Sequence, residues 1–394
     1  MKNEEGGEGA RGEDVSAEMV TQDEEVVEEN RLPEINYDSL NGLRGIGALC
    51  VYFQHFQFQF FPSDAVKNAV NIQTTTPLWL KNLMTSPLQV FWYGQYWVMV
   101  FFMLSGFVLP LKFFKTKNRQ SIWGGIIRRY PRLMVPCLVV IALIYTIVKL
   151  GFTTSVTNIF VKAKAYWMMI VDSVVMTWFG NRDYVGVVWT LCVELWCSYI
   201  VYALALLVSQ FRRRYTIYLL LIGILWVPRY TYVYGLSELL FDSGWIISNL
   251  PFFIIGTMLA DMEAFSSEYR PLDKLRRLGP KMTIVKNTFL ICYFFFYGGY
   301  NGNADCNEEV KCTFFRIVSL NWYFGFIWCN NFAVIALFLL ALTSENFQKM
   351  LLTRPIQFLG KISYTFYLFH MVFVEIVMFQ LVNYMSGYDV DKED

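Results

Sequence analysis

The chain has 394 residues, 55% of them hydrophobic and 16% charged, with a net charge of +1. So apolar a composition excludes an ordinary soluble enzyme. Recurring stretches near the roughly 20 apolar residues that span a bilayer predict an all-α fold, a polytopic transmembrane helical bundle with the lipid bilayer as its first partner. The charge balance is uneven: residues 1–30 carry eleven Asp/Glu against two Lys/Arg, so the remainder is basic.

Residues 1–36 read as a disordered acidic cytosolic tail, with no aromatic residue to seed a core. They contain no apolar h-region, so they are not a signal peptide, and the first span is expected to act as the signal anchor. That span covers about 44–61, the second about 89–111 and the third about 133–150. Between the second and third lies a run of Lys112, Lys115, Lys117, Arg119, Arg128, Arg129 and Arg132. Such a run belongs on the cytoplasmic side, which places the tail and Arg44 there too. The apolar stretch 166–179 is short and interrupted by Asp172, and reads as re-entrant or interfacial. The fourth span, 186–209, ends at Arg212, Arg213 and Arg214. Further spans follow at about 215–233, 244–261, 284–300, 317–342 and 362–382, ahead of a short polar tail from 383 to 394. That makes nine spans, with 37–382 as one membrane domain. The loop 301–313 then falls outside, where an oxidising environment would permit a disulfide between Cys306 and Cys312. The remaining cysteines mostly sit in apolar runs, where a thiol acts as a small hydrophobe. No spacing resembles a zinc site, so no metal is expected, and no nucleic-acid partner either.

Several polar residues interrupt the apolar stretches. Arg44 and His55, one of only two histidines, are eleven residues apart. On an α-helix that is three turns plus roughly 20°, so both lie on one face, about 16 Å apart along the axis. Ionisable groups at membrane depth are costly and point to function. His55 reads as a general base, because the ordinary imidazole pKa near 6.5 suits that task, or as a histidine bonded across a helix interface. Arg44 reads as an interfacial anchor or as a phosphate contact, for which its planar fork of donors is suited. Arg129 and Arg132 satisfy the positive-inside rule but also form a second candidate phosphate cluster. Glu194 reads as an interhelical hydrogen-bonding group or as a carboxylate orienting His55. His370, with Ser363 and Tyr367 on one helix face, reads as packing or pore lining.

The ordered set of motifs resembles the acyltransferase 3 family. Asp38-Ser39-Leu40-Asn41-Gly42-Leu43-Arg44-Gly45, followed by His55, is similar to the family's LDGLRG opening with an arginine, ten residues and a histidine. Asn41 stands where an acid is commoner. Ser105-Gly106 lies in a counterpart of FFVLSGF, Arg129 and Arg132 in an R-x-x-R element, Trp189 to Glu194 in a W-S/T-L-x-x-E element, and Ser363 to His370 in an ISYSLYLWH element. The resemblance implies ten spans in a complete member, one more than counted here. It implies an integral-membrane O-acyltransferase with no permanently bound cofactor. Acyl-CoA, most often acetyl-CoA, would be the co-substrate, and the acceptor a hydroxyl of a carbohydrate, lipid or secondary metabolite. His55 and Glu194 would be catalytic, while Arg44, Arg129 and Arg132 would hold coenzyme A. The competing reading is a proton-coupled transporter or flippase using His55, Glu194 and Asp172. The N-terminus is expected in the cytosol, and the membrane is that of the endoplasmic reticulum or the cell surface.

Overall fold

The computed structural model describes residues 36–60, 86–150, 188–230, 244–264, 271–298 and 323–374, with five isolated positions between 167 and 174. The acidic tail up to residue 35, nearly all of 166–179, the Cys306–Cys312 loop and the residues beyond 374 lie outside the described residues.

Among the described residues every regular element is helical. In chain order these are α1 (Asp38–Phe60), a 3-10 turn (Pro87–Trp92), α2 (Gly94–Thr116), α3 (Gln120–Lys149), α4 (Val188–Val208) and α5 (Arg214–Tyr230). Then come α6 (Gly244–Ala264), α7 (Pro271–Arg276), α8 (Pro280–Gly298), α9 (Tyr323–Thr343), α10 (Glu345–Leu351) and α11 (Arg354–Val372). A helix lies at each of the nine expected spans. Four stretches are individually long and apolar enough to cross a membrane: Gly94–Thr116, Gln120–Ile147, Trp189–Val208 and Ile246–Ala264. The pair α9–α10, bent by 91°, adds a fifth if taken as one broken span. The chain is therefore an all-α, multi-pass membrane protein.

Several helices begin earlier than their apolar runs. Asn41-Gly42, which reads as a turn signal, lies within α1, and Arg128, Arg129 and Arg132 lie within α3 rather than in a loop. The α2–α3 connection is only three residues long and explains itself locally. Lys117 takes the left-handed conformation (φ 56°) and its N–H donates to the Phe113 carbonyl at 2.7 Å, closing α2. The Asn118 side chain then accepts from Gln120 N at 2.9 Å, capping α3. At α11, Thr353 is the N-cap and Pro355 follows in the first turn, which moves the start well before the apolar run at 362.

The core is built on α2 and α6. α2 is apolar on every side and buried along most of its length, as expected of a helix enclosed by others. It meets α6 where Gly106 faces Phe253 and Gly256 faces Met103; a Cβ at either glycine would collide with the opposing backbone. The Thr257 hydroxyl donates to the Gly106 carbonyl at 3.1 Å, and Phe102 stacks on Phe253 with centroids 5.1 Å apart. Small residues that let backbones approach are the usual means of helix association in lipid. The cysteines Cys50, Cys137, Cys192 and Cys197, on α1, α3 and α4, are buried as small apolar groups.

A second glycine contact joins α1 to α11. A Cβ on Gly45 would run into Gly360, one on Gly360 into the Asn41 carbonyl, and one on Gly42 into the Leu351 carbonyl. Further along, Tyr52 meets Phe366 (centroids 5.6 Å) and His55 meets His370 (5.0 Å). Both numberings rise together, so the two helices run side by side in the same direction.

Candidate active site

A cavity lies where α1, α2, α4 and α11 converge. Arg44 reaches it from α1, Phe101 and Ser105 from α2, Thr190 and Glu194 from α4, and Tyr364 and Tyr367 from α11. The glycines of the Asn41–Gly45 stretch set this arrangement, because they bring Arg44 and His55 against the face of α11 that carries Tyr364, Tyr367 and His370.

Glu194 is the polar centre of the cavity wall. Arg129 Nη2 donates to its Oε1 at 2.6 Å, and Ser105 Oγ donates to the same oxygen at 2.9 Å. Arg129 Nε donates to Ser198 Oγ at 3.0 Å, and Ser198 in turn donates to the Glu194 carbonyl. Arg129 itself is only 8% exposed. In this geometry the carboxylate is engaged by an arginine and a serine, not by His55. Of the two readings of Glu194, these contacts are those of an interhelical hydrogen-bonding group, paired with Arg129. The reason is positional: Arg129 lies inside α3, facing α4, rather than in a cytoplasmic loop.

Arg44 is half-buried and its charged neighbours are Glu194, Arg132 and Arg129, with Tyr364 also close. The three arginines singled out in the sequence therefore come together. Their environments differ: Arg44 lines the cavity, Arg129 is tied to Glu194, and Arg132 is exposed.

Beyond Glu194 the wall continues into a chain of aromatic groups. The hydroxyls of Thr190 and Tyr367 are 2.7 Å apart, both buried. The Tyr367 ring stands edge-on to Phe101 at 6.0 Å and tilts against His370 at 5.5 Å. His370 Nδ1 is 2.5 Å from the Tyr367 carbonyl, and the His370 ring lies next to His55. Tyr364 Oη donates to the Leu133 carbonyl at 2.8 Å, fixing α11 to α3. The sequence brought Ser105 into view through its motif, and Tyr367 and His370 as packing or pore-lining residues, but not the hydrogen bond of Ser105 to Glu194. Ser198 carried one available signal, since it follows Glu194 by one helical turn and shares its face.

The arrangement places a cation and a paired carboxylate at one end of an aromatic-walled cavity and two adjacent imidazoles past the other. The family model for acyltransferase 3, described as an acyltransferase domain, matches residues 37–387. The chain belongs to the acyltransferase 3 family. It is thus a membrane acyltransferase, and the motifs that carry the resemblance are the residues that build this cavity and its flank. No curated protein and no solved structure matches the chain.

Proposed function

We propose that this acyltransferase moves a short acyl group, acetyl foremost, from acyl-CoA to a hydroxyl of a carbohydrate, lipid or secondary-metabolite acceptor. One observation carries this reading: a single helix brings Arg44 to the cavity and His55 to its far flank, on one face and about 16 Å apart. That spacing suits a donor whose phosphates and thioester lie at opposite ends of a pantetheine arm. The phosphate end falls to Arg44 with Arg132, whose guanidinium forks match phosphate oxygens. Arg129 supports that end indirectly by neutralising Glu194, so that Arg44 presents its charge to the donor. The base is His55, which takes the acceptor's hydroxyl proton as its oxygen attacks the thioester carbonyl. Glu194 acts through Arg129 and Ser105 by fixing the cavity wall. The positive segments between helices favour a cytosolic N-terminus and a donor entering from the cytosol. The membrane is that of the endoplasmic reticulum or the cell surface. The transporter reading gains no support from the family match and is set aside.

The test is acetyl-CoA binding by calorimetry to the purified protein in detergent, with wild type, Arg44→Ala and Arg132→Ala compared. Saturable binding weakened at least tenfold in Arg44→Ala, with both variants folded, is the expected result. Equal affinity in all three would refute the coenzyme A site. Separately, His55→Ala should bind the donor normally yet transfer nothing; turnover equal to wild type would remove the base assignment.

A further inference from the structure

We infer that the basic end of α3 holds an anionic phospholipid, with Arg128 on its phosphate and an exposed apolar ridge of α3 along its acyl chains.

α3 is the least enclosed of the four helices able to cross a membrane alone, with 39% of its apolar stretch buried. That stretch, Gln120–Ile147, is 28 residues long. At 1.5 Å per residue it reaches about 42 Å, which is about 12 Å more than a hydrocarbon core of about 30 Å. Leu133 to Ile147 contains no charged residue, so the surplus falls at the N-terminal end. About eight residues there stand in the headgroup layer. Arg128 is then at the boundary between headgroups and acyl chains.

The surface at this boundary has two parts. Trp123, Ile127, Pro131, Val135, Val139 and Leu143 are exposed and recur every four residues, which makes a ridge along the helix. Trp123 stands at its basic end, and an indole favours the membrane–water interface. Beside the ridge, Arg128 is exposed and forms no ion pair among the described residues. Its guanidinium folds back over Gly124, where a Cβ would lie 3.0 Å from Nη2. That is one turn towards the headgroups, the direction a charged head takes when its stem lies among acyl chains. The other arginines of α3 are engaged elsewhere. Arg129 pairs with Glu194, and Arg132 has Arg44 as a charged neighbour beside the cavity. Arg128 is left to the bilayer.

The chemistry of this surface selects its occupant. A guanidinium fork donates two parallel hydrogen bonds to phosphate oxygens. The aliphatic ridge takes the chains. Exposed Lys112, Lys115 and Arg119, around the α2–α3 connection, add an attraction for a net negative headgroup. A zwitterionic lipid offers no net charge to that field. A second copy packed by the same face would set like charges together, and a free phosphate would leave the ridge unused. The positive-inside rule accounts for the sign of these charges, but not for one guanidinium seated over a glycine within the span.

The test is native mass spectrometry of the full-length protein in detergent, titrated with phosphatidylserine or phosphatidylcholine of the same acyl chains. Wild type should bind its first phosphatidylserine about fivefold tighter, or more, than phosphatidylcholine. Arg128→Gln should bind the two lipids alike. Lys281→Gln removes an exposed cation beside exposed Met282 on α8, and should keep the wild-type preference. Equal binding of both lipids by wild type overturns the inference without any variant. A preference lost to the same extent in both variants is diffuse charge attraction, and overturns it too. Glycerophosphoserine, the headgroup without chains, should not displace the bound lipid at equal concentration. Displacement would leave a phosphate site alone, and a dimer free of lipid would give the ridge to a second copy; either result refutes the lipid.

Discussion

Arg129 and Glu194 form a pair whose side chains are 9% and 23% exposed, with the nitrogen and oxygen 2.6 Å apart. Two ions withdrawn from water gain little net stability from each other, but either one alone is expensive. Arg129→Met or Glu194→Met should each destabilise the protein by about 3–5 kcal/mol, because the surviving charge is left without its partner. The double substitution should recover much of that loss, since two apolar chains of similar size remove both desolvation penalties. It should not recover transfer, because Arg44 would then lack the ordered wall beside it. Thermal unfolding of the three variants in detergent, with acetyl-CoA turnover alongside, checks this. Additive destabilisation in the double variant would show that the residues do not act as a pair. The Thr190–Tyr367 contact makes a smaller claim of the same type. Tyr367→Phe strands the Thr190 hydroxyl and Thr190→Val strands the Tyr367 hydroxyl, at about 1–3 kcal/mol each. The two together should cost less than their sum, and a strictly additive double-mutant cycle would contradict the bond.

At the level of the helices, position depends on glycine. Gly45 and Gly360 let α1 lie against α11 closely enough for His55 to reach His370, three turns away from the glycine contact. Gly45→Leu should therefore wedge the two helices apart while leaving the α2–α6 core intact. Inserted, folded protein that binds acetyl-CoA weakly and transfers nothing is the expected outcome. Retained wild-type turnover would show that close approach is not required. This element also shows what the sequence could and could not say. Apolar runs located the helices, since each run of roughly 20 residues can cross only as a helix. They misplaced the starts of α1, α3 and α11, where arginines and prolines, several of them exposed, sit inside helices that begin ahead of their apolar runs. Hydropathy is weakest around the candidate site: α1 and α11 carry Arg44, His55, Tyr364 and His370 and fall outside the helices apolar enough to cross alone. Motif order and helical spacing picked out Arg44 and Glu194, which line the candidate cavity, and Arg129, which pairs with Glu194. The pairing itself was not legible, because joining Glu194 to Arg129 depends on how α3 rotates against α4, and that is set by packing rather than by local pattern.

Across the whole molecule the cavity and the bend between α9 and α10 are separate pieces of engineering. α9 ends at Thr343, and its last carbonyls need donors before the chain turns by 91° into α10. Lys286 of α8 supplies them: its Nζ lies 3.0 Å from the Thr343 carbonyl, 3.1 Å from the Thr343 hydroxyl and 3.1 Å from the Leu275 carbonyl. Arg276 adds a bond to the Leu342 carbonyl at 3.1 Å, and Glu263 and Asp273 hold its guanidinium at 2.7 and 2.8 Å. A cation at a helix C-terminus also opposes the negative end of the helix dipole. Lys286→Met keeps the apolar stem and removes every one of those donors. Stranded carbonyls at this corner should lower stability by about 1–3 kcal/mol for each group left unsatisfied. None of these residues lines the cavity, so donor affinity should stay within twofold of wild type. The measurement is a melting curve with and without acetyl-CoA. The apparent midpoint should fall in the variant, while the upward shift produced by saturating donor keeps its wild-type size, because ligand stabilisation depends on affinity and concentration alone. A donor-induced shift that vanished in Lys286→Met would mean that the bend and the cavity are coupled, and would make α8 to α10 part of the binding machinery rather than its frame.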